Sequence, residues 1–421
     1  MTVAGGWGLV AGTMLLNPYR VLDLTGPLGF LTGRILADLG ADVIKVEPPG
    51  GDPSRGWPPF STHAGGRESL TWMAYNANKR GITLDLDTAS GQFVLRELAR
   101  TADFVLESFA PGYLAAHGLG YDDLHRENPR LIFVSVTPYG QDGPARDCLA
   151  SDIEIMAASG AMSLAGEEGG EPMRVTLPQA AMWAGAEAAM GALTALVHRT
   201  ATGAGQWVDV SAQAAVIAAL AHAPVFWDLN GINPERAGIY ITGRSMTGAR
   251  MRAFWPCKDG WINFIVYGGA AGRHTNQQLV AWMEETGMPS EPLNRIDWRT
   301  FSVTGLTQDE VDAVEEPIGR FLATLTKHEF LEGAAARQML GYPVSNADDI
   351  HHDPQLAFRG FWQDVEDPAS GRTIRFPGGF AIVDGARLPI RRPPPVVGEH
   401  NDDVYGQLLA GRVARPGDER S

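Results

Sequence analysis

The stretch from residue 174 to 211, RVTLPQAAMWAGAEAAMGALTALVHRTATGAGQWVDVS, limits most strongly how this chain can fold. It predicts a helix from about Pro178 to His198, then a glycine turn at Gly203 and Gly205, then a short strand. Small residues leave little side chain on this helix, so that another backbone or a flat ligand can approach closely. They are Ala184, Gly185, Ala188, Ala189, Gly191 and Ala192. We therefore expect a buried helix, which either packs the core or presents its start to a bound substrate.

Length and charge set the class of protein. A chain of 421 residues is too long for one ordinary core, so two domains are expected. With 44% hydrophobic and 20% charged residues, the composition is that of a globular protein. The net charge of −15 argues against nucleic acid or an anionic membrane as the main partner.

Cysteine use and the first residues bear on location. Cys148 and Cys257 are the only cysteines, which excludes a disulfide framework and a CxxC metal motif and favours the reducing cytoplasm. The first 20 residues lack a basic segment, and their apolar run is shorter than the roughly 20 residues of a membrane span. We expect a loose arm there rather than a signal.

From Arg20 the pattern is that of an α/β protein. The strand RVLDL, a glycine-rich turn with a helix, and the strand ADVIKVE predict a βαβ unit with parallel strands. Gly26, Gly29 and Gly33 resemble a dinucleotide-binding fingerprint, with Glu47 near the place of its ribose-binding acid. Their spacing is not GxGxxG, however, and helix–strand packing explains these glycines equally well. A nucleotide-dependent oxidoreductase is kept as a minor alternative.

The alternation of strands and helices continues and predicts a doubly wound parallel sheet, with ligands beyond the carboxyl ends of its strands. Basic residues at turns, Arg55, Lys79 and Arg80, indicate a pocket for an elongated, partly anionic ligand. The predicted organisation is a large domain over 20–225, a smaller α+β domain with a hairpin at KDG over 235–335, and a return segment over 345–421.

Other constellations carry less chemistry. Neither a GxSxG elbow nor a GxxxxGK[ST] phosphate loop occurs. His351, His352 and Asp353 form the one dense cluster of potential metal ligands, but adjacent histidines point apart, so a surface turn is favoured and no metal site is expected. Asp152 begins an apolar helix, where it either caps that helix or orients a ligand.

Eight segments in one order, covering about Arg20 to Leu409, carry a family resemblance. They are VLDLTGPLGFLTGRILADLGADVIKVEPPGGDPSR, NKRGITLDL, VLESFAPGYLAAHGLG, NPRLIFVSVTPYGQDGP, SDIEIMAASGAM, ALTALVHRTATGAGQWVDVS, DPQLAFRGFW and PPPVVGEHN. The chain resembles the family III CoA-transferases, a group with formyl-CoA, carnitine and benzylsuccinate CoA-transferases and α-methylacyl-CoA racemase. The resemblance implies a Rossmann-like large domain made from both chain ends, a smaller inserted domain and an interlocked dimer. Its substrates would be an acyl-CoA and a carboxylic acid, with no covalently bound cofactor.

The resemblance also implies a mechanism and a difficulty. In these transferases an aspartate attacks the thioester, forms an acyl-aspartyl anhydride and then an aspartyl-CoA thioester. Counted back from TGxGQ, its position falls on Ala180 or Ala181, and neither can be a nucleophile. Asp152 is a weak candidate to replace it. Racemase chemistry is in doubt as well, since the histidine expected before Asp152 is Ser151.

Residues of the expected coenzyme A site follow from the same resemblance. They are Leu28, Gly29, Arg55, Leu84, Ser108, Phe109 and Asp152. Pro48, Asp87, Ala116 and Leu149 stand where formyl-CoA transferase has basic residues, and Arg236, Arg244 and Arg250 are the candidates to supply that charge instead. Three hypotheses remain: a CoA-transferase, a non-catalytic acyl-CoA-binding subunit that works with a related family III chain, and the nucleotide-dependent oxidoreductase as the minor alternative. Whether the chain pairs with itself or with such a relative is left open.

Overall fold

A computed structural model describes residues 14–61, 68–241, 249–367 and 371–409. The chain forms two compact units. Unit 1 comprises the described parts of Met1–Gly160, Val175–Ala221 and Pro354–Ser421, and unit 2 comprises those of Ala161–Arg174 and His222–Asp353. Unit 1 is therefore built from segments on both sides of unit 2 in the sequence.

Unit 1 contains a six-stranded sheet in the order β3-β2-β1-β4-β5-β6. Its strands are β1 Arg20–Leu24, β2 Asp42–Glu47, β3 Arg80–Thr83, β4 Phe104–Glu107, β5 Ile132–Thr137 and β6 Trp207–Ser211. Every neighbouring pair in it is parallel, which confirms the predicted α/β class and parallel sheet. The strand order reverses between β1 and β4, and in such sheets ligands bind outside the carboxyl ends of the strands at this switch point.

Helices cover both faces of this sheet. They are α1 Phe30–Asp38, α2 Leu70–Asn76, α3 Ala89–Ala99, α4 Tyr113–Ala116, α5 Tyr121–Glu127, α6 Asp152–Ala158, α7 Ala180–Thr202 and α8 Ala212–Ala219. Leu22 and Leu24 of β1 share one core with Leu95 and Leu98 of α3, whereas Asp23 between them points to the opposite face and α1. The alternation along β1 thus places one apolar layer on each side of the sheet.

Helix α7 is the predicted small-residue helix, and it begins two residues after the predicted start. A Cβ at Gly185 would lie 2.8 Å from Cβ of Leu31 in α1, and Thr32 Oγ1 donates a hydrogen bond of 3.1 Å to the Gly185 carbonyl. The two helices therefore touch almost backbone to backbone, as the composition predicts. Gly203 ends the helix with φ +79°, the left-handed turn expected of it.

Length and hydropathy alone would let α7 cross a membrane, and they would let α8 and the next helix do so as a bent pair. Core helices of soluble proteins have the same properties, and half of the apolar window of α7 is buried.

Unit 2 is a smaller α+β arrangement. Its helices are α9 His222–Asn230, α10 Gly269–Glu285, α11 Glu291–Asn294, α12 Gln308–Leu322, α13 Lys327–Ala336 and α14 Ala347–His351. Its strands are β7 Tyr240–Ile241, β8 Met251–Arg252, β9 Phe254–Cys257, β10 Gly260–Asn263 and β11 Tyr342–Pro343. Strands β9 and β10 form the hairpin predicted at Lys258–Asp259, and Trp282 packs edge-on against Phe321 in the core.

The return segment completes unit 1 from Pro354 onward, whereas its first residues, as far as Asp353, belong to unit 2. It contains α15 Pro354–Phe358, β12 Trp362–Asp367, β13 Arg372–Pro377, β14 Ile382–Val383, β15 Ala386–Arg387 and α16 Asn401–Leu409. Beside the edge strand β3, the Thr83 N–H donates to Asn401 Oδ1 at 2.9 Å and the Gly81 N–H to His400 Nδ1 at 3.2 Å. The segment thereby covers an edge that would otherwise expose unpaired backbone groups.

Candidate functional site

The loops after β1 and β4 meet at the switch point of the sheet. The N–H of Gly26, just after β1, donates a 2.7 Å hydrogen bond to Oγ of Ser108, just after β4. Gly29 is the N-cap of α1, and a Cβ there would lie 2.6 Å from Cγ2 of Thr25, so the tight turn excludes a side chain. We call the space bounded by Gly26–Gly29 and Ser108–Phe109 the β1/β4 crevice. Four of the residues expected at a coenzyme A site lie on these two loops, Leu28 and Gly29 on the first and Ser108 and Phe109 on the second.

Arg55 and Leu84 follow β2 and β3 at the same sheet edge. Arg55 forms a two-pronged ion pair with Glu47, at 2.6 and 2.7 Å, and its guanidinium stacks on Trp72 at 3.8 Å. The N–H of Leu84 donates to the Glu47 carbonyl at 2.7 Å. The Glu47 carboxylate is 1% exposed and bound by Arg55, so it is not placed to bind a ribose, which removes the structural basis for a dinucleotide fingerprint.

The basic turns suggested that Lys79 binds a ligand, but the structure shows that it does not. It is completely buried, and its Nζ donates to Asp23 at 2.8 Å, to Asn76 at 2.9 Å and to the carbonyl of Phe30 at 3.0 Å. A Cβ at Gly33 would lie 2.2 Å from Asp23 Oδ2, so packing around this ion pair explains that glycine. Burial lowers the pKa of Lys79 to about 8.

Arg80, the third of these basic residues, lies at the amino end of β3, the sheet edge opposite the crevice. Its guanidinium pairs with Asp42 at 2.7 Å and with Asp403 at 2.6 Å. The pattern of basic turns predicted that Arg80 binds the ligand, but Arg80 lies away from the carboxyl ends of the strands, where the ligand is expected.

The expected nucleophile position lies in the first turn of α7. Ala180 is completely buried and Ala181 is 8% exposed. Asp152 Oδ1 accepts hydrogen bonds from the N–H groups of Gln179 at 2.8 Å and Ala180 at 2.7 Å. A carboxylate thus satisfies two free donors at the positive end of α7, beside the position that the sequence resemblance predicts for the nucleophile.

Asp152 does not cap its own helix, contrary to one of the two readings of the sequence. Ser151 is the N-cap of α6, and its N–H donates to Glu154 at 2.8 Å. The sequence signal for this was the spacing SDIE, a capping box. The bond from Asp152 to a helix 27 residues away could not be read from local spacing.

We expect Asp152→Ala to destabilise unit 1 by about 1–2 kcal/mol, because two N–H groups of α7 lose their acceptor. Asp152→Asn keeps an oxygen and should cost less. Chemical unfolding measures both, and Glu154→Ala, which removes only the α6 cap, is the matched control. Equal losses for Asp152→Ala and Asp152→Asn would contradict the role of the Asp152 oxygen as hydrogen-bond acceptor.

Glu107, at the end of β4, is a buried carboxyl group to which the sequence pattern assigned no role. It accepts the N–H of Phe109 at 2.8 Å and a hydrogen bond from Ser135, whose Oγ in turn accepts Trp207 Nε1 at 3.0 Å. Burial raises the pKa of Glu107 to about 7, and nearby Asp209 adds to the effect. The group therefore holds the Ser108–Phe109 turn in place and changes charge near neutral pH.

We expect the stability of the chain relative to Glu107→Gln to fall as the pH rises from about 4.5 to about 7. In this range the folded state holds a proton on Glu107 that the unfolded state has lost, and the difference reaches on the order of 2–3 kcal/mol. Urea unfolding at a series of pH values measures it. Glu366→Gln, at an exposed site on β12, should show no such trend, and a pH-independent difference for Glu107→Gln would contradict the assignment.

Other sequence candidates lie elsewhere. Arg236 donates to the carbonyl of Gly170 at 2.6 Å, and Arg250 pairs with Glu168 at 2.7 Å, all within unit 2. Arg244 lies outside the described residues. His351 ends α14, and in the described part of the chain no three His, Cys, Asp or Glu side chains are grouped to hold a metal.

Comparison with known proteins agrees with this architecture. The profile of CoA-transferase family III matches residues 16–401. The succinyl-CoA:(R)-benzylsuccinate CoA-transferase subunit BbsE of Thauera aromatica is 37% identical over 390 residues, 92% of each chain. The succinate–glutarate CoA-transferase of Agrobacterium fabrum is 32% identical over 95% of this chain and 98% of its own. A crystal structure of a CaiB/BaiF family protein from Brucella suis superposes with a TM-score of 0.80, at 26% identity, over 94% of this chain and all of that one. The chain belongs to CoA-transferase family III.

Proposed function

We propose that this chain transfers coenzyme A between an acyl-CoA and a carboxylic acid, with succinyl-CoA as donor and a dicarboxylic acid as acceptor. The names of the Thauera and Agrobacterium relatives support this choice, since both pair a succinyl group with a second dicarboxylic acid. The observation that carries the proposal is the β1/β4 crevice. It lies at the switch point of a parallel sheet, where the Gly26–Ser108 hydrogen bond joins its two loops.

In this proposal the crevice holds the acyl-CoA. Leu28, Leu84 and Phe109 give apolar and backbone contacts, while Gly29 keeps the turn narrow enough for the ligand to approach the backbone. Arg55 offers a guanidinium whose position is fixed by Glu47 and Trp72. Asp152 orients the start of α7, where the reacting carboxylate of the family belongs. The cytoplasm remains the expected location.

A second candidate is a non-catalytic subunit whose partner supplies the aspartate. Two observations favour it: alanine stands at both possible nucleophile positions, and the Thauera relative is itself named as a subunit.

The surface of unit 1 is also suited to a partner chain. Trp183, Met190 and Val197 on α7 are 44%, 59% and 69% exposed. Met190 and Val197 also line, together with Phe380, an apolar hollow of about 410 Å³. Exposed apolar surface of this kind is typical of protein interfaces, so we propose dimerisation with itself or with a related family III chain.

A hydroxylamine trap tests both candidates. The purified chain is incubated with succinyl-CoA and hydroxylamine, alone and after co-expression with a family III chain that carries the aspartate. Hydroxamate from the chain alone supports a complete transferase. If this chain alone forms no hydroxamate, and the co-expressed pair forms it faster than the partner chain does by itself, the subunit candidate is supported. No effect of this chain in either setting, together with no binding of CoA by calorimetry, would refute the proposed function.

A further inference from the structure

A second polar cavity lies at the amino ends of the strands in unit 1, on the sheet edge opposite the β1/β4 crevice. Its volume is about 270 Å³. It is lined by Asp42, Asn78, Arg80, Arg391 and Arg392, with Met14, Asn17, Gly40 and Ala41 completing the wall. This cavity takes no part in the proposed transfer reaction.

The return segment is fixed to the cavity wall by Asn78. The side-chain oxygen of Asn78 accepts the N–H of Arg391 at 2.6 Å, and the backbone N–H of Asn78 donates to the carbonyl of Arg392 at 3.1 Å. The Asn78 amide also donates to Asp38 at 2.6 Å. Asn78 itself has φ +67°, a conformation that is uncommon outside glycine and that this set of bonds holds. The backbone of Arg391 and Arg392 is therefore held in place by hydrogen bonds.

The cavity has more positive charge than its acids balance. Asp42 is shared between Arg20 and Arg80, and Arg80 also pairs with Asp403. Within the described residues, neither Arg391 nor Arg392 has a carboxylate at ion-pair distance; Arg391 donates to the carbonyl of Ala37 at 2.6 Å, and Arg392 lies 3.4 Å from His400 Nε2. Burial and the neighbouring charge of Arg392 lower the pKa of Arg391, and Asp38 and Asp42 only partly oppose this. The remaining N–H donors of both guanidinium groups are available to a ligand.

We propose that this cavity binds a small multivalent oxyanion, either phosphate or a compact polycarboxylate. Guanidinium groups bind both through paired N–H donors, and an anion here would offset the repulsion between Arg391 and Arg392. The anion would sit beside Gly40 and Ala41, which follow the end of α1. The proposal does not depend on the transfer activity.

The test is a calorimetric titration of the full chain with sodium phosphate, sodium sulfate and citrate, each against sodium chloride at matched ionic strength. We expect binding of at least one of the three anions at millimolar concentration or below. Arg392→Gln should weaken it at least tenfold, and so should Arg391→Lys, which keeps the charge and loses the planar donor pair. Arg359→Gln removes an exposed arginine elsewhere in unit 1 and should leave the affinity unchanged.

Comparing the three anions identifies the class of ligand. Competition with coenzyme A shows whether the anion binds outside the β1/β4 crevice. Binding of phosphate and sulfate without citrate assigns the cavity to a tetrahedral anion, and the reverse assigns it to a carboxylate. Saturating coenzyme A should not displace the anion. Loss of anion binding in the presence of coenzyme A, equal affinity in Arg392→Gln and the parent chain, or no binding beyond chloride would each overturn the proposal.

Discussion

Ala181→Asp should raise succinyl-CoA-dependent transfer by the purified chain at least about 10³-fold, because a side chain without a nucleophile would be replaced by one that can form the acyl intermediate. The position lies in the first turn of α7, where the positive end of the helix stabilises a carboxylate. It is 8% exposed, whereas Ala180 is fully buried and its N–H is already bound by Asp152. We therefore infer that position 181 is the one to restore.

The measurement is the initial rate of product acyl-CoA formation, together with the mass of the trapped enzyme adduct. Ala180→Asp and Ala181→Asn are the controls, since the first moves the carboxylate by one residue and the second keeps its shape without its charge. Neither should gain activity. Absence of any gain from Ala181→Asp and Ala180→Asp, in variants that bind coenzyme A as the parent chain does, would show that the nucleophile position has been misaligned.

Asp23→Ala should destabilise the chain by about 3–5 kcal/mol, because it leaves Lys79 buried without its ion-pair partner. Burial opposes ionisation of Asp23, but Lys79 and Lys45 outweigh it, so its pKa lies below the ordinary value. The stabilisation from this lowered pKa is present above that ordinary value and is lost as the pH falls through the lowered pKa. Urea unfolding at neutral and acidic pH measures both effects.

Two variants sharpen the test of Asp23. Asp364→Ala breaks the exposed pair with Arg375, in which both side chains are about half exposed, and should cost no more than about 1 kcal/mol. Asp23→Leu combined with Lys79→Met removes the charges of this pair but leaves the buried Lys45, 3.9 Å from Asp23 in the parent chain, so it should recover only part of the lost stability. If Asp23→Ala costs no more than Asp364→Ala, the buried pair does not hold the sheet and α1 together as described.

Much of the fold follows from short-range patterns in the sequence. The apolar runs RVLDL and DVIKVE gave strands β1 and β2 close to their observed bounds, and the small residues of α7 indicated its close approach to another backbone. These features depend on burial and on side-chain size, which neighbouring residues reveal. The family resemblance added the order of the elements.

The candidate site was harder to predict, since its decisive contacts join residues far apart in sequence. Lys79 could not be distinguished from a ligand-binding lysine until Asp23, 56 residues earlier, was found beside it. Asp152 likewise has its partners at the start of α7, 27 and 28 residues on. The burial of Glu107 gave no local signal, because its partner Ser135 lies on the neighbouring strand β5. Pairings of this kind are set by topology rather than by spacing.

The contact between Gly185 and Thr32 has a consequence for how the activity of such a chain can diversify. At Gly185 the backbone of α7 contacts Leu31 and Thr32 of α1 directly, so the turn before α1 and the proposed nucleophile position at the start of α7 belong to one closely packed block. Enlarging either helix face would push the two apart. New acceptor acids must therefore be accommodated by residues outside this block, while the block itself tolerates little change.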